Sequence, residues 1–214
     1  MGARVQSGGM ADPDALVSTR RSLHAVAELV IAGPQFREQG KIRLRPIPGG
    51  FGGAVSPLRV DGAELVTPGG RFPLTGSCRS LAAEAGVTVG PPDSYPDSGH
   101  DPDAPLAVDA GAAALLAAWF ARGDAALRAL FPDVEPVLWP EHFDLAVGVG
   151  EVNYGVSPGD AGHPLPYAYV GPWEPREGPF WNAPFGALKE GDELPDATAL
   201  VEFLRAGRAA AASP

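Results

Sequence analysis

Cysteine is almost missing from this 214-residue chain, which holds only Cys78. One thiol excludes an internal disulfide and any zinc centre built mainly from thiolates, and it fits a reducing compartment. Cys78 itself reads as a small buried packing residue. Basic residues are also scarce: 16 Lys and Arg stand against 26 Asp and Glu, giving a net charge of -10 and a pI near 4.8. Neutralising phosphates takes a basic stripe, so no nucleic-acid partner is expected. Long apolar runs are lacking as well. Nothing approaches the roughly 18 apolar residues of a membrane span, and the opening MGARVQSGGMADPDALV has no apolar signal core. The expectation is a cytoplasmic protein with no membrane partner.

Several catalytic spacings are absent too. There is no HExxH or CxxC, and GGFGG at 49–53 has neither the Lys-Ser/Thr of a phosphate loop nor the spacing of a dinucleotide turn. Ser157 and Cys78 have no nucleophile elbow around them. No internal repeat is visible.

What is present is enough apolar sequence, 45% of residues, to bury a core, with 28 Gly and 24 Pro as punctuation. Apolar Leu16, Leu23, Val26, Ala27 and Val30 recur at helical spacing from Asp14 to Ile31, with Asp12 or Asp14 as cap and Gly33-Pro34 as stop. KIRLRPI alternates like a half-buried strand, which GGFGG should break. PLRVDGAELV reads as a hairpin turning at Asp61-Gly62. GRFPLTG suits an edge strand that tolerates Pro73, and SCRSLAAEAGV a short helix closed by Gly86. Residues 90–105 are dense in Pro, Asp, Ser and Gly and form a long loop, the one candidate sub-boundary. Asp109 caps a helix that Gly123-Asp124 should end before a second begins, and a last helix starts at Asp196. The reading is a single α+β domain over 13–207, a mainly antiparallel sheet with helices packed on one face, between flexible tails at 1–12 and 208–214.

The stretch LWPEHFDLAVGVGEVNYGVSPGD, residues 138–160, carries the candidate site. A strand over 141–150 points Glu141, Phe143, Leu145, Val147 and Val149 to the core. His142, Asp144, Ala146 and Gly148 then face the other way, leaving open space in front of two polar groups. Gly155, Pro158 and Gly159 should fix a turn holding Asn153, Tyr154 and Asp160. LPYAYVGPW then alternates Leu165, Tyr167 and Tyr169 against Ala168 and Val170, as a strand pairing with the first. Trp173, Phe180, Trp181 and Phe185 crowd the next segment, more aromatics than one edge needs to bury.

From these residues His142, Asp144 and Asp160 are the candidate catalytic groups, because an imidazole titrates near neutrality and a carboxylate can orient its ring. Asn153, Tyr154, Tyr167, Tyr169, Trp173, Trp181 and Asn182 are candidate substrate contacts. A divalent metal is an option through His142, Asp144 and His163. The row Lys41, Arg43, Arg45 is weighed as an anion clamp against a solvated strand face.

RRSLHAVAELVIAGPQFREQGKIRLRPIPGGFGG, LWPEHFDLAVGVGEVNYGVSPGD, PYAYVGPW and FWNAPFGA together resemble, from about Ser18 onward, a family of uncharacterised proteins of high-GC bacteria. FDLAV followed by PYAYV also looks like a larger family of bacterial proteins of unknown function. Neither resemblance implies a cofactor or a catalytic residue. The function expected is small-molecule binding, as a hydrolase or isomerase using a His/Asp pocket. The alternative is a non-catalytic protein that uses the aromatic segment as an interaction surface or homodimer interface.

Overall fold

The structure, a computed structural model, describes residues 12–96 and 98–212. The tail expected at 1–12 lies outside the described residues except for Asp12. Its carboxylate accepts the N–H of Asp14 and caps the first helix.

Among the described residues ten strands form one antiparallel sheet. The first five are β1 (Leu44–Ile47), β2 (Gly50–Gly53), β3 (Arg59–Asp61), β4 (Glu64–Thr67) and β5 (Gly70–Pro73). The second five are β6 (Val137–Trp139), β7 (Asp144–Val149), β8 (Val152–Ser157), β9 (Tyr167–Pro172) and β10 (Ala187–Glu190). Their order is β10-β9-β8-β7-β6-β1-β2-β3-β4-β5, so two meanders of five join through their first strands, at Leu44 opposite Leu138. Each meander has helices at both ends. α1 (Pro13–Val26), a π-helical segment (Ala27–Ala32) and α2 (Gly33–Gln39) precede β1, and α3 (Cys78–Ala85) follows β5. α4 (Ala110–Leu130) precedes β6, and α5 (Ala197–Ala211) follows β10. α4 packs across β1, β2, β7 and β8, and α5 on β9. This is the expected α+β class, with helices on one face. At the centre, the Phe143 ring meets Phe51 and Phe120 edge-on at 5.2 and 5.3 Å.

Several expectations hold in detail. β3 and β4 form the hairpin, although its two loop residues are Gly62 and Ala63, one step later than expected, with Gly62 at φ 60°. Pro73 lies on the edge strand β5, Gly86 closes α3 at φ 70°, and Cys78 is buried. Among the described residues no helix is long and apolar enough to cross a membrane.

Glycine explains most of the differences. The first helix does not stop at Gly33-Pro34 but runs on to Gln39. The π segment lets the Gly33 N–H reach back to the Glu28 carbonyl, and Pro34 has no N–H to place. α4 is one helix, because Gly123 is a contact rather than a break: a Cβ there would lie 2.3 Å from Val156 Cγ2. GGFGG does not break the sheet but supplies β2, paired on both sides. Residues 152–157 are strand, not turn. The reversal sits earlier, at Gly150 (φ 59°) and Glu151 (φ 62°), the two left-handed positions of a primed hairpin turn. Consequently β9 pairs with β8 rather than with β7. Residues 208–211, expected as tail, complete α5.

Candidate functional site

The second meander turns a row of unusual side chains away from the helices. On β7, β8 and β9 the core side carries Leu145 and Val147, Val152 and Val156, and Ala168 and Val170. The opposite side carries Asp144, then Asn153, Gly155 and Ser157, then Tyr167, Tyr169 and Gly171. β7 begins only at Asp144. Residues 140–143 are a tight turn in which the Phe143 N–H bonds the Trp139 carbonyl at 2.8 Å and Phe143 takes φ 53°. This left-handed conformation is uncommon for a bulky residue, and it seats the Phe143 ring in the core while the next residue opens on the other face.

Across the ladder Ala146 faces Gly155, and Gly155 faces Tyr169. Any side chain at 155 would collide with the tyrosine ring, since a Cβ there would sit 2.6 Å from Tyr169 Cζ. The phenol therefore lies across β8 and donates its hydroxyl hydrogen to Asp144 Oδ2. Asp144 is buried, and its Oδ1 has no hydrogen-bond partner from another residue. Burial pushes the Asp144 carboxyl up to about 6, against the opposing pull of Tyr169 and His142. Burial also drives the Tyr169 hydroxyl well above the ordinary tyrosine range, with Asp144 adding to it. The pair thus combines a carboxyl that exchanges its proton near neutrality with a phenol that stays neutral.

A second pair stands beside it. Tyr167 donates to Asp160 Oδ2 at 2.5 Å, while Asp160 Oδ1 accepts the backbone N–H groups of Gly162 and His163 at 2.6 and 2.8 Å. Burial would raise the Asp160 carboxyl, but these three donors outweigh it and hold the group below its usual value. Asp144 and Asp160 therefore sit on opposite sides of the ordinary carboxylate range, one proton-holding and one fixed as an anion.

Both pairs border a cavity of about 680 Å³. His142 stands exposed on its rim, Trp173 and Phe185 form an aromatic wall, and Arg176 adds a positive charge. The 180–188 segment that carries Phe185 is tied down locally. Asn182 both donates to the Leu188 carbonyl and accepts its N–H, and Phe180 stacks on Phe203 of α5 at 5.6 Å.

Of the residues expected in a site, His142, Asp144, Asp160, Asn153, Tyr167, Tyr169 and Trp173 do border this one cavity. Four do not. Tyr154 alternates with Asn153 on a strand, so it points into the helix layer, 4.8 Å from the Phe131 ring. Trp181 packs against the core, and Asn182 is spent on the Leu188 backbone. His163 lends Asp160 its backbone N–H and rests its ring near Tyr167 and Phe185, outside the cavity lining. The proposed metal set His142, Asp144 and His163 does not converge. Among the described residues the three-ligand cluster is a different one, His24, Glu28 and His100. Lys41, Arg43 and Arg45 are exposed and do not line the cavity, and Arg43 lies over the Trp139 ring at 5.8 Å. Ser157, Arg176 and Phe185 also border the cavity and were not among the expected contacts. Ser157 and Phe185 carried a signal, since each stands at an open-face or aromatic position of the same segments; Arg176, in a loop, carried none.

Comparison of the chain with protein-family models, with curated proteins and with solved structures finds no match.

Proposed function

We propose that this protein binds a small molecule in the cavity over β7, β8 and β9 and moves a proton to or from it, as a hydrolase or isomerase. The observation that carries this reading is the buried Asp144 carboxyl under the Tyr169 hydroxyl, raised to about 6 at the floor of the cavity. A general acid–base group works best with a proton affinity near the working pH, and strongly shifted groups in clefts are enriched at functional sites. Asp144 and Tyr169 hold or pass the proton, and His142 stands exposed at the rim. Asp160, kept ionised by Tyr167 and two backbone N–H groups, orients a donor on the ligand. Trp173 and Phe185 supply apolar faces for its body.

The competing reading is an interface between copies of the chain, and the exposure of Trp173 (66%), Phe185 (42%) and Leu165 (41%) favours it. Trp173 and Phe185 line a concavity rather than a flat patch, which favours the ligand site. A metabolite and fragment library screened by ligand-observed NMR separates the two. Binders lost in both Trp173→Ala and Asp144→Asn, with an unchanged oligomeric state, support the pocket. A dimer that dissociates in Trp173→Ala, with no binders to wild type, supports the interface.

A further inference from the structure

On the helix side of the same turn lies a cluster that shares no residue with the cavity. His24 stands near the end of α1, Glu28 one turn later in the π segment, and His100 comes from the long loop after α3. Spacing of four along a helix puts two side chains on one face, and the loop returns the third across 70 residues or more of chain, as the Ser98 contact to Glu28 also shows. One ligand-type atom from each residue lies within 4.8 Å of the other two. The His24 and His100 rings meet edge to face with centroids 4.4 Å apart, and His100 Nε2 is 3.9 Å from Glu28 Oε2.

The surroundings orient these atoms as the outer shell of a metal centre does. His24 Nε2 lies 2.8 Å from the Pro140 carbonyl oxygen, which can only accept, so that nitrogen carries the hydrogen and Nδ1 keeps its lone pair. The ring is further fixed by stacking on Phe143 at 5.3 Å and 10°. Ser98 Oγ donates to Glu28 Oε1 at 2.9 Å, and Oε2 of the same carboxylate lies 3.9 Å from His100 Nε2. Glu28 is fully buried, and the His100 side chain is 20% exposed, an entry path for an ion. A π segment within an α-helix is a frequent mark of a functional position.

We infer that His24, Glu28 and His100 form a binding site for one divalent transition-metal ion of zinc type. Two imidazoles and one carboxylate are the donor set of borderline ions rather than of calcium or magnesium. Ligands about 2.1 Å from a tetrahedral ion lie roughly 3.4 Å apart, so closure takes a shift of about 1 Å, which the loop bearing His100 can supply. A bound ion would neutralise the buried Glu28 carboxylate and fasten the loop to α1. It would also pin, through His24 and Pro140, the turn that delivers Asp144 to the cavity.

The test uses the full chain, stripped with EDTA and titrated with Zn2+ against a chromophoric chelator, with Co2+ as a spectroscopic probe. The expected result is one ion per chain and a higher melting temperature with zinc. Affinity should fall at least tenfold in His100→Ala and in Glu28→Gln, and stay unchanged in His163→Ala. The Co2+ visible bands should disappear in His100→Ala. His100 is a loop residue, so that variant retains the fold, as circular dichroism will verify; should Glu28→Gln fail to fold, His100→Ala alone decides. Absence of stoichiometric Zn2+ binding, or equal affinity in wild type and His100→Ala, overturns the site.

Discussion

Asp144 is held in a form that makes the fold respond to pH. Its carboxyl binds a proton more tightly in the folded chain, at about 6, than at the ordinary value of 3.8. The stability it confers is therefore fully present below about pH 4 and lost as pH rises through 6, and two units correspond to about 3 kcal/mol. Asn keeps the shape without the charge. Asp144→Asn should thus match wild type near pH 4 and exceed it by about 1 to 3 kcal/mol at pH 8, as read by denaturant melts across that range. A difference curve that stays flat between pH 4 and 6 would contradict the buried acid. His142 is the opposite case. It is exposed on the rim, so His142→Ala should alter stability by no more than about 0.5 kcal/mol while weakening ligand binding. A loss above about 2 kcal/mol would make it a structural residue instead.

At the level of elements, the glycines set the geometry, and they also limit what the sequence reveals. Gly123→Ala would gain about 1 kcal/mol of helix propensity. The new Cβ would lie 2.3 Å from Val156 Cγ2, however, and overpacking of that kind costs about 1 to 3 kcal/mol. The clash wins, and the variant should melt lower than wild type. Gly155→Ala should displace the Tyr169 ring from Asp144, lower stability by a similar amount and abolish ligand binding. Wild-type melting and binding in that variant would refute the crossing of Tyr169 over β8. Gly62→Val should lose about 1 kcal/mol or more by denaturant melt, because φ is 60° there. Only the last of these glycines was readable from sequence, since a turn glycine between two alternating runs has a local signature. Gly123 and Gly155 look like breaks when read along the chain. What they accommodate, Val156 and Tyr169, is distant in sequence and becomes visible only when the strands are in register. The same fault put Tyr154 in a turn beside the site instead of on a strand facing the helices, whereas Tyr167 and Tyr169 fell on the expected side because their strand alternates cleanly.

For the whole molecule, two five-stranded meanders share one sheet, and the second opens a cavity on the face away from the helices. Composition and period were sufficient for the class and the helix layer, and the 138–185 stretch was legible as the place of the candidate site. The joining of β1 to β6, and the return of the 98–100 loop to α1, depend on contacts between distant segments that no local pattern encodes. On the reading proposed above, the open face of the second meander stores a proton on a carboxyl shielded from water. Carbon-detected NMR of the side-chain carboxyls, titrated from pH 3 to 9 with Asp144→Asn as the assignment control, measures this directly. The account predicts that the Asp144 resonance titrates near 6 and that Asp160 titrates below the usual carboxylate range. An Asp144 midpoint at or below about 4, the value of an ordinary solvated aspartate, would contradict it.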